Sequence, residues 1–409
     1  MGSEFWSRRR LLTAGAAGAA LAAMVRPSSA RRPKLDWAGF LARARGQVVH
    51  FNGWGGDQRI NDYIAWAAGA VMDRAGVEVR HVKLADTAEA VSRVIAEKAA
   101  GRDGDGSVDL IWLNGENFAA LKAQDLLFGP FVELLPNFRY VDPAEKPTTI
   151  VDFTVPTEGY EAPWGMAQLV FFRDSARVKE PPRSMAALRA WAEANPGRFT
   201  YPAPPDFLGT TFLKQALYET TADPTALQRP AAEHAAMAME PLWAYLDGLH
   251  PLLWREGDTF PKSSSDMRQL VADGEADIYF AFNPGDASSA IAQGLLPETM
   301  RPFVPNAGSI GNTHFLAIPN NAMSAEGAMV FADFLLSPEA QARKENPDLW
   351  GDPTVLSLAR LSPEQRKLFE DLPRGIATPT PDELGRPLPE PHSSWVAAVE
   401  QAWLKRYGT

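Results

Sequence analysis

Cysteine is absent from the 409 residues of this chain. The protein therefore has no thiol nucleophile and no thiolate metal ligand, and packing without disulfides must hold it together. Beyond its amino terminus, the sequence also lacks an apolar run of the roughly 20 residues that a membrane-spanning helix needs. These two absences exclude thiol chemistry and an integral membrane domain built from helices.

Metal-binding and catalytic motifs are missing as well. The six histidines lie far apart, with no pair at i, i+4 and no H-E-x-x-H, so we expect no zinc centre. Residues 103–107 resemble the start of a calcium loop, but Val108 stands where that loop needs glycine and Asn114 where it needs glutamate. No G-x-S-x-G, phosphate-binding glycine loop or G-x-G-x-x-G is present. The sequence predicts no metal, no cofactor and no catalytic residue.

The charge balance is acidic. The whole chain carries −10, of which residues 1–30 contribute +3, so the remainder carries −13. Such a charge disfavours nucleic acid and anionic membrane as partners. A mature chain of about 380 residues exceeds the usual size of a single hydrophobic core, so we expect two domains or lobes.

The amino terminus has the form of an export signal. The cationic start Ser7-Arg8-Arg9-Arg10-Leu11-Leu12 precedes an apolar run to Met24 and the small-residue exit Ser28-Ser29-Ala30. The paired arginines resemble a twin-arginine signal, which exports proteins after they fold. We predict cleavage near Ala30 and a periplasmic location; the alternative is a frayed amino-terminal helix.

Apolar spacing predicts an α/β fold. Residues 48–51, 77–84 and 108–113 have the pattern of strands, and residues 60–75 and 86–100 between them have the pattern of helices. This order is typical of a parallel sheet with right-handed crossovers. The predicted elements farther along are strands at 166–172, 199–201, 277–282 and 314–318 and helices at 185–195, 211–218, 326–336 and 395–407.

Three loops follow or precede these elements where an open α/β sheet places its ligand crevice. In the first, residues 53–57, glycines allow close approach of a ligand, Trp54 offers a ring face and the next helix presents free N–H groups. The alternative is a plain turn with a core tryptophan. In the second, residues 114–118, the polar side chains of Asn114, Glu116 and Asn117 are costly in a core and suited to a hydrogen-bonding rim. The alternative is a helix cap by Asn114.

The third loop, residues 205–211, leads into a helix and carries Asp206, Phe207, Thr210 and Thr211; simple capping of that helix is equally compatible with it. Weaker candidates for ligand contact are Trp164, Asn283, Asn312 and Thr313. The aromatic side chains among these candidates, together with Phe282 and the carboxylates of Glu116 and Asp206, favour a small cationic or aromatic ligand.

Several segments resemble a known family. Residues 51–57, 108–118, 163–165 and 311–319 closely resemble the YnjB-type group of ABC-transporter solute-binding proteins. The run F-x-x-F-L-L-S-P-E-A-Q at 331–341 resembles a segment that is widely shared among solute-binding proteins. The wider resemblance is to extracellular solute-binding families that handle sugars, polyamines, iron and thiamine. It covers about residues 37–407.

The resemblance implies a bilobal periplasmic-binding fold of type II, with two α/β lobes joined by a hinge. We expect residues 31–165 and 280–342 in the amino-terminal lobe and residues 166–279 and 343–409 in the carboxy-terminal lobe. It further implies a monomer without cofactor that closes on a small molecule and docks on an ABC permease in the inner membrane. The alternatives are an exported sensor or scaffold of the same fold, and an exported hydrolase that pairs Glu116 or Glu161 with Asp206.

Overall fold

The computed structural model describes residues 37–231 and 235–408. The predicted export signal at 1–30 lies outside them. Among the described helices, none combines the length and the apolar composition that a membrane span requires. The helices are α1 (Trp37–Ala44), α2 (Gln58–Ala75), α3 (Ala88–Ala99), α4 (Glu116–Lys122), α5 (Met185–Ala194), α6 (Phe207–Thr220), α7 (Ala235–Leu249), α8 (Ser264–Ala272), α9 (Asp286–Ala292), α10 (Ala325–Leu335), α11 (Pro338–Glu345), α12 (Pro363–Glu370), α13 (Pro381–Leu384) and α14 (Ser394–Tyr407). The strands are β1 (Val48–Trp54), β2 (Glu78–Leu84), β3 (Leu110–Leu113), β4 (Val151–Asp152), β5 (Val155–Pro156), β6 (Glu161–Gln168), β7 (Val170–Asp174), β8 (Ile278–Ala281), β9 (Met300–Phe303) and β10 (Gly311–Ala317).

A five-stranded sheet forms the first half of the molecule, in the order β2-β1-β3-β10-β6. β1 pairs in parallel with β2 and β3, which confirms the predicted parallel unit. β10 runs antiparallel to β3 and β6, so the complete sheet is mixed. Helices α2 and α10 pack on one face and α3 and α4 on the other. Burial on both faces explains why β1 and β3 read as continuous apolar runs.

The helix α2 shows how the sequence sets these boundaries. Its cap Asp57 accepts a hydrogen bond from the backbone N–H of Arg59 at 2.9 Å. Ile64 and Val71 belong to a buried stripe at helical spacing, and Gly76 ends the helix in the left-handed conformation at φ 67°. The capped end holds Asp57 and Arg59 beside the carboxyl end of β1.

A three-stranded antiparallel sheet, β8-β7-β9, centres the second half. Phe171 on β7 lies opposite Phe280 and Phe303, with ring centroids 5.3 and 5.4 Å apart respectively. Helices α5, α6, α7 and α14 contribute to the same core. Residues 199–201, predicted as a strand, belong to no strand in the described part, although Phe199 and Tyr201 are fully buried in this core.

The chain passes between the two sheets in short steps. β6 ends at Gln168 and β7 begins at Val170, and the N–H of Leu169 between them donates to the carbonyl of Ile310 at 2.8 Å. Ile310 lies on the returning segment from β9 to β10. The two crossings therefore run side by side, as expected of a hinge.

Two segments pack with the other half of the molecule than the one to which the predicted lobe limits assign them. β9, expected with the first lobe, pairs with β7 in the three-stranded sheet. Trp350 and the helix α12, expected with the second lobe, contribute to the core under the five-stranded sheet, since the apolar side chains of Trp350 and Phe369 pack there. The lobe limits themselves stay a prediction.

Candidate functional site

A cavity of about 500 Å³ lies between the two sheets, where β1 and β3 end. Open α/β sheets usually bind ligands at this edge. Nine of the twelve candidate residues from the sequence line the cavity; seven of them come from the three predicted loops, and Asn283 and Asn312 come from elsewhere. These nine are Trp54, Asn114, Glu116, Asn117, Asp206, Phe207, Thr210, Asn283 and Asn312.

The first wall of the cavity is the side formed by the five-stranded sheet. It contains Trp54, the last residue of β1. A Cβ atom at Gly56 would lie 2.4 Å from the Trp54 ring, and one at Gly55 would lie 2.6 Å from Lys83. Both positions therefore require glycine, because no larger residue fits without displacing its neighbour. The turn holds the half-buried indole ring against the backbone at the edge of the cavity.

The loop of residues 114–117 completes the first wall. Gly115 has φ +65°, and a Cβ atom there would lie 2.8 Å from the ring of Phe153. The N–H of Gly115 donates to the Asp152 carboxylate at 2.5 Å. This tight turn places the side chains of Asn114 and Glu116 on either side of the glycine, and both line the cavity.

Glu116 has an altered acidity. Its side chain reaches the solvent of the cavity and is otherwise surrounded by protein from both walls. Burial raises the pKa of the Glu116 carboxyl to about 7; the carboxylates of Glu400 and Glu390 add to the rise, and the Lys214 ammonium opposes it. A cation placed beside Glu116 would favour its charged form.

The second wall is the opposite side of the cavity, formed by the half that contains the three-stranded sheet. Its first residue is Asp206, which caps α6. Its carboxylate accepts hydrogen bonds from the N–H groups of Leu208 at 2.9 Å and Gly209 at 3.0 Å. The capping interpretation therefore holds, and the same residue lines the cavity. Burial raises the pKa of Asp206, as do the charges of Asp266 and Asp86, against the lowering effect of the two N–H groups.

Glu400 adds a second carboxylate to this wall. The Thr210 hydroxyl donates to Glu400 at 2.7 Å, and burial raises the pKa of Glu400. The residue comes from the carboxy-terminal helix α14, and no local motif marks it as part of the site. Phe207, with 44 % of its surface exposed, meets Phe282 edge to face at 5.6 Å and supplies the aromatic part of the wall.

A buried ion pair lies at the back of the cavity. Lys214 donates to Glu390 at 2.6 Å, and the amide of Asn312 donates to the other oxygen of Glu390 at 2.9 Å. The Lys214 ammonium also lies 4.6 Å from the ring of Phe153. Because Glu390 and two aromatic rings already satisfy this lysine, it leaves little charge for a ligand.

An aromatic floor was missed by the sequence analysis. Trp112, His314 and Trp350 line the cavity, with the rings of His314 and Trp350 stacked at 6.2 Å. The Asp352 carboxylate lies 3.1 Å from Nε2 of His314, within hydrogen-bond distance. Trp112 and His314 stand on strands that were predicted, so a sequence signal existed; Trp350 lies in a loop without one.

Three predicted residues do not line the cavity. Trp164 is completely buried beneath the floor, with its ring centroid 4.9 Å from that of Trp112. The Thr211 hydroxyl donates within its own helix to the carbonyl of Phe207 at 2.8 Å. The Thr313 hydroxyl bonds to that of Thr148 at 2.9 Å. Their side chains serve the core because each points away from the cavity face of its strand or helix.

The cavity is acidic. Seven carboxyl groups line it, against four lysine and arginine side chains. Asp57 and Asp286 pair with arginines and Asp352 with Lys344. The other four carboxyl groups form no ion pair with any described residue. They are Asp86, Glu116, Asp206 and Glu400. The described part contains no cluster of three or more histidine and carboxylate side chains that could hold a metal.

Comparison with known proteins identifies the family of the chain. Residues 66–366 match the family described as bacterial extracellular solute-binding protein. Protein YnjB of Escherichia coli (strain K12) is 47 % identical over 375 residues, which cover 91 % of this chain and 94 % of that protein. The chain belongs to the bacterial extracellular solute-binding proteins.

Solved structures place the family's fold. The Treponema pallidum lipoprotein Tp0655 (TpPotD) is similar with a TM-score of 0.65 and 14 % identity, over 88 % of this chain and 99 % of that one. The periplasmic binding protein AfuA of Actinobacillus pleuropneumoniae, with fructose-6-phosphate bound, gives 0.62 and 15 % over the same shares. The spermidine/putrescine binding protein PotD of Streptococcus pneumoniae gives 0.57 and 16 % over 89 % of this chain and 100 % of that one. The bilobal α/β fold expected from the sequence is confirmed.

Proposed function

We propose that this solute-binding protein serves an ABC importer: it captures a small organic cation with an aromatic or apolar part and delivers it to a permease in the inner membrane. The observation that carries the proposal is the joint presence of four carboxyl groups without an ion pair and an aromatic lining in one cavity. A cation between these groups gains charge pairing and ring contacts together.

The charges favour a cation over an anion. Both arginines of the cavity, Arg59 and Arg268, already bind carboxylates, and Lys214 pairs with Glu390. Lys262 is the fourth basic side chain of the cavity and has no ion pair among the described residues. A phosphate or carboxylate ligand would therefore find one lysine, against the four unpaired carboxyl groups of Asp86, Glu116, Asp206 and Glu400. The known structures of similar fold are named for ligands of both charges, so these carboxylates, and not the fold, select the class.

Closure about the hinge is the expected mode of binding. We propose that the first lobe comprises residues 37–168 and 311–370, and the second lobe residues 169–310 and 377–408, in agreement with the two cores. A ligand that touches both walls binds the closed form better than the open form and shifts the population toward it. The protein acts as a periplasmic monomer and changes no covalent bond.

The hydrolase alternative has weaker support. Glu161 is almost completely buried on β6 and does not line the cavity. Glu116 and Asp206 both line it and both have raised pKa values, which an acid catalyst would use. A carboxylate pair that awaits a cationic ligand has the same properties, and the family of the chain consists of solute binders.

The decisive experiment identifies the ligand. The protein is expressed in its own host, purified, and examined by native mass spectrometry for a bound mass, which is then assayed by calorimetry with stripped protein. We expect a cation with submillimolar or tighter affinity that is recovered unchanged after incubation. An anionic ligand would contradict the charge argument, and conversion to a product would favour the hydrolase.

Export is tested separately. Replacement of Arg8, Arg9 and Arg10 by lysine should block secretion of the folded protein, because a twin-arginine signal needs its guanidinium pair. The fraction of protein in the periplasm, measured by immunoblot, is the readout. An unchanged periplasmic yield would assign the protein to the general secretion route.

A further inference from the structure

Four charged side chains connect the two halves of the molecule across the cavity. Asp57 and Arg59 stand at the start of α2, beside the five-stranded sheet. Arg268 on α8 and Asp286 at the start of α9 stand beside the three-stranded sheet. Arg59 donates to Asp286 at 2.7 Å, and Arg268 reaches back to Asp57 at 3.4 Å.

Each half of this quartet is also paired within itself. Arg59 binds both oxygens of Asp57, at 3.1 and 2.8 Å. Arg268 binds Asp286 at 2.9 Å, and the Tyr279 hydroxyl donates to the second oxygen of Asp286 at 3.0 Å. If the halves separate, each arginine keeps a carboxylate, and no charge is left without a partner.

The quartet is buried and ionised. The side chains of Asp57, Arg59 and Asp286 are each 8 % exposed and that of Arg268 is 16 % exposed. Burial alone would raise the pKa of Asp57, but the hydrogen bonds and charges of Arg59 and Arg268 outweigh it and lower this pKa to about 2. The pKa of Asp286 is likewise lowered, since the two arginines overcome its burial.

From this geometry we infer that the quartet is an electrostatic latch that holds the two lobes together in the absence of a ligand. Closure forms the two cross pairs in a site of low water content, where charge pairs are strongest. Opening returns each arginine to the carboxylate on its own side, and water replaces the cross pairs. The latch is therefore reversible, because neither state contains an orphan charge.

The latch has a consequence for affinity. A ligand need not overcome the full cost of closure when cross pairs already favour the closed form, so apparent affinity rises with the population that is closed beforehand. The quartet differs in this respect from Glu116 and Glu400, which have no ion pair to lose when a ligand arrives. The inference holds for a ligand of either charge and does not depend on the proposed cation.

The test uses ligand-free protein. The mature protein is stripped by unfolding in guanidinium and refolding, and its radius of gyration is measured by small-angle X-ray scattering. We expect the value calculated from this structure, near 21 Å for a compact chain of this length. The double variant Arg59→Gln/Arg268→Gln leaves Asp57 and Asp286 facing each other as like charges, and its radius should rise by about 1 Å or more as the lobes separate.

A matched control lies on the same helix as Arg59. Arg74 pairs with Glu339 at 2.8 Å, but this ion pair is exposed and lies within the five-stranded half. Arg74→Gln should leave the radius unchanged. The single variant Arg268→Gln removes the longer cross pair and the pair with Asp286 on its own side, but keeps the cross pair of Arg59 with Asp286, and should give an intermediate value. If the double variant does not refold, the test is the comparison of the radius of gyration between this single variant and the wild type.

Two outcomes would overturn the inference. Stripped wild-type protein that is already expanded relative to this structure would show that the quartet does not hold the lobes together. Variants as compact as the wild type would show that other contacts do so. Neither result depends on whether a ligand has been identified, so the latch and the proposed transport function fail independently.

Discussion

The two walls of the cavity are built in different ways. The first wall uses two loops that directly follow β1 and β3, so the residues within each loop are neighbours in the sequence and carry their own glycines. The second wall combines the start of α6 with a carboxylate from α14, and Thr210 joins them by a hydrogen bond to Glu400. The first wall is thus a local feature of a sheet edge, and the second is a product of tertiary packing.

On the first wall, the residues that stabilise the fold are different from those that face the cavity; on the second wall, the same residues do both. Behind the first wall, Trp164 packs under Trp112 and contributes to the core, whereas Trp54 lies at the cavity. On the second wall, Asp206 and Thr210 both bind other protein groups and face the ligand space. A substitution on the second wall therefore affects folding and binding together more often than one at Trp54.

The largest expected effect concerns support. Trp164→Ala should lower the free energy of unfolding by about 3–5 kcal/mol, because it removes a completely buried ring from the core. Denaturant unfolding measures the loss, and calorimetry on the folded remainder should show near-normal affinity. Trp54→Ala is the matched control, with a small change in stability. Lost binding in the folded Trp164 variant would move this residue into the site.

The next comparison sets one carboxylate of each wall against the other. Glu116→Gln should weaken binding of a cationic ligand by roughly 30-fold or more, the range for a charge pair shielded from water. It should not lower the melting temperature at neutral pH, because the raised pKa of Glu116 means that its charged form costs stability in the folded protein. Glu400→Ala should weaken binding and also lower the melting temperature, because it removes the acceptor of the Thr210 hydrogen bond. Equal melting temperatures for the two variants would contradict the distinction between the walls.

The aromatic side chains give a third comparison. Trp54→Ala should cost roughly 1–3 kcal/mol of binding energy, about 5- to 150-fold in affinity, if its ring stacks on the ligand. Phe207→Ala should cost less, because a phenyl ring holds a cation more weakly than an indole and part of Phe207 contacts Phe282. Calorimetry on both variants shows which wall contributes more aromatic binding energy. A larger loss for Phe207 would assign the aromatic recognition to the second wall.

What the sequence could predict follows the same division. The parallel unit β1-β2-β3, the loop after each strand and the helix α6 were visible because apolar spacing and glycines are local signals. The antiparallel return of β10, the floor residue Trp350 and the carboxylate of Glu400 depend on contacts between distant segments. Spacing also could not tell Trp164 from Trp54. Trp54 follows an apolar stretch and Trp164 precedes one, each stands beside a glycine, and only the packing of Trp112 and Trp350 over Trp164 buries it.

The smallest expected effect is a dependence of affinity on pH that belongs to the first wall. With the pKa of Glu116 raised to about 7, much of the ligand-free protein carries a neutral Glu116 at pH 6. A cationic ligand requires the charged form, so its binding releases a proton, and affinity should rise by up to about tenfold from pH 6 to pH 8 and level off above that.

The stability of the ligand-free protein should change in the opposite direction. Because the pKa of Glu116 in the folded protein exceeds the ordinary value of 4.5, the folded state binds the proton more tightly than the unfolded state. Its contribution to stability is complete below about pH 4.5 and is lost as the pH rises through about 7. Glu116→Gln should flatten both profiles, as followed by calorimetry and thermal melts, whereas Asp206→Asn should leave the pH dependence of binding near pH 7 in place. A wild-type affinity that does not change between pH 6 and pH 8 would show that binding does not depend on the charging of Glu116, and would transfer recognition of the cation to the second wall.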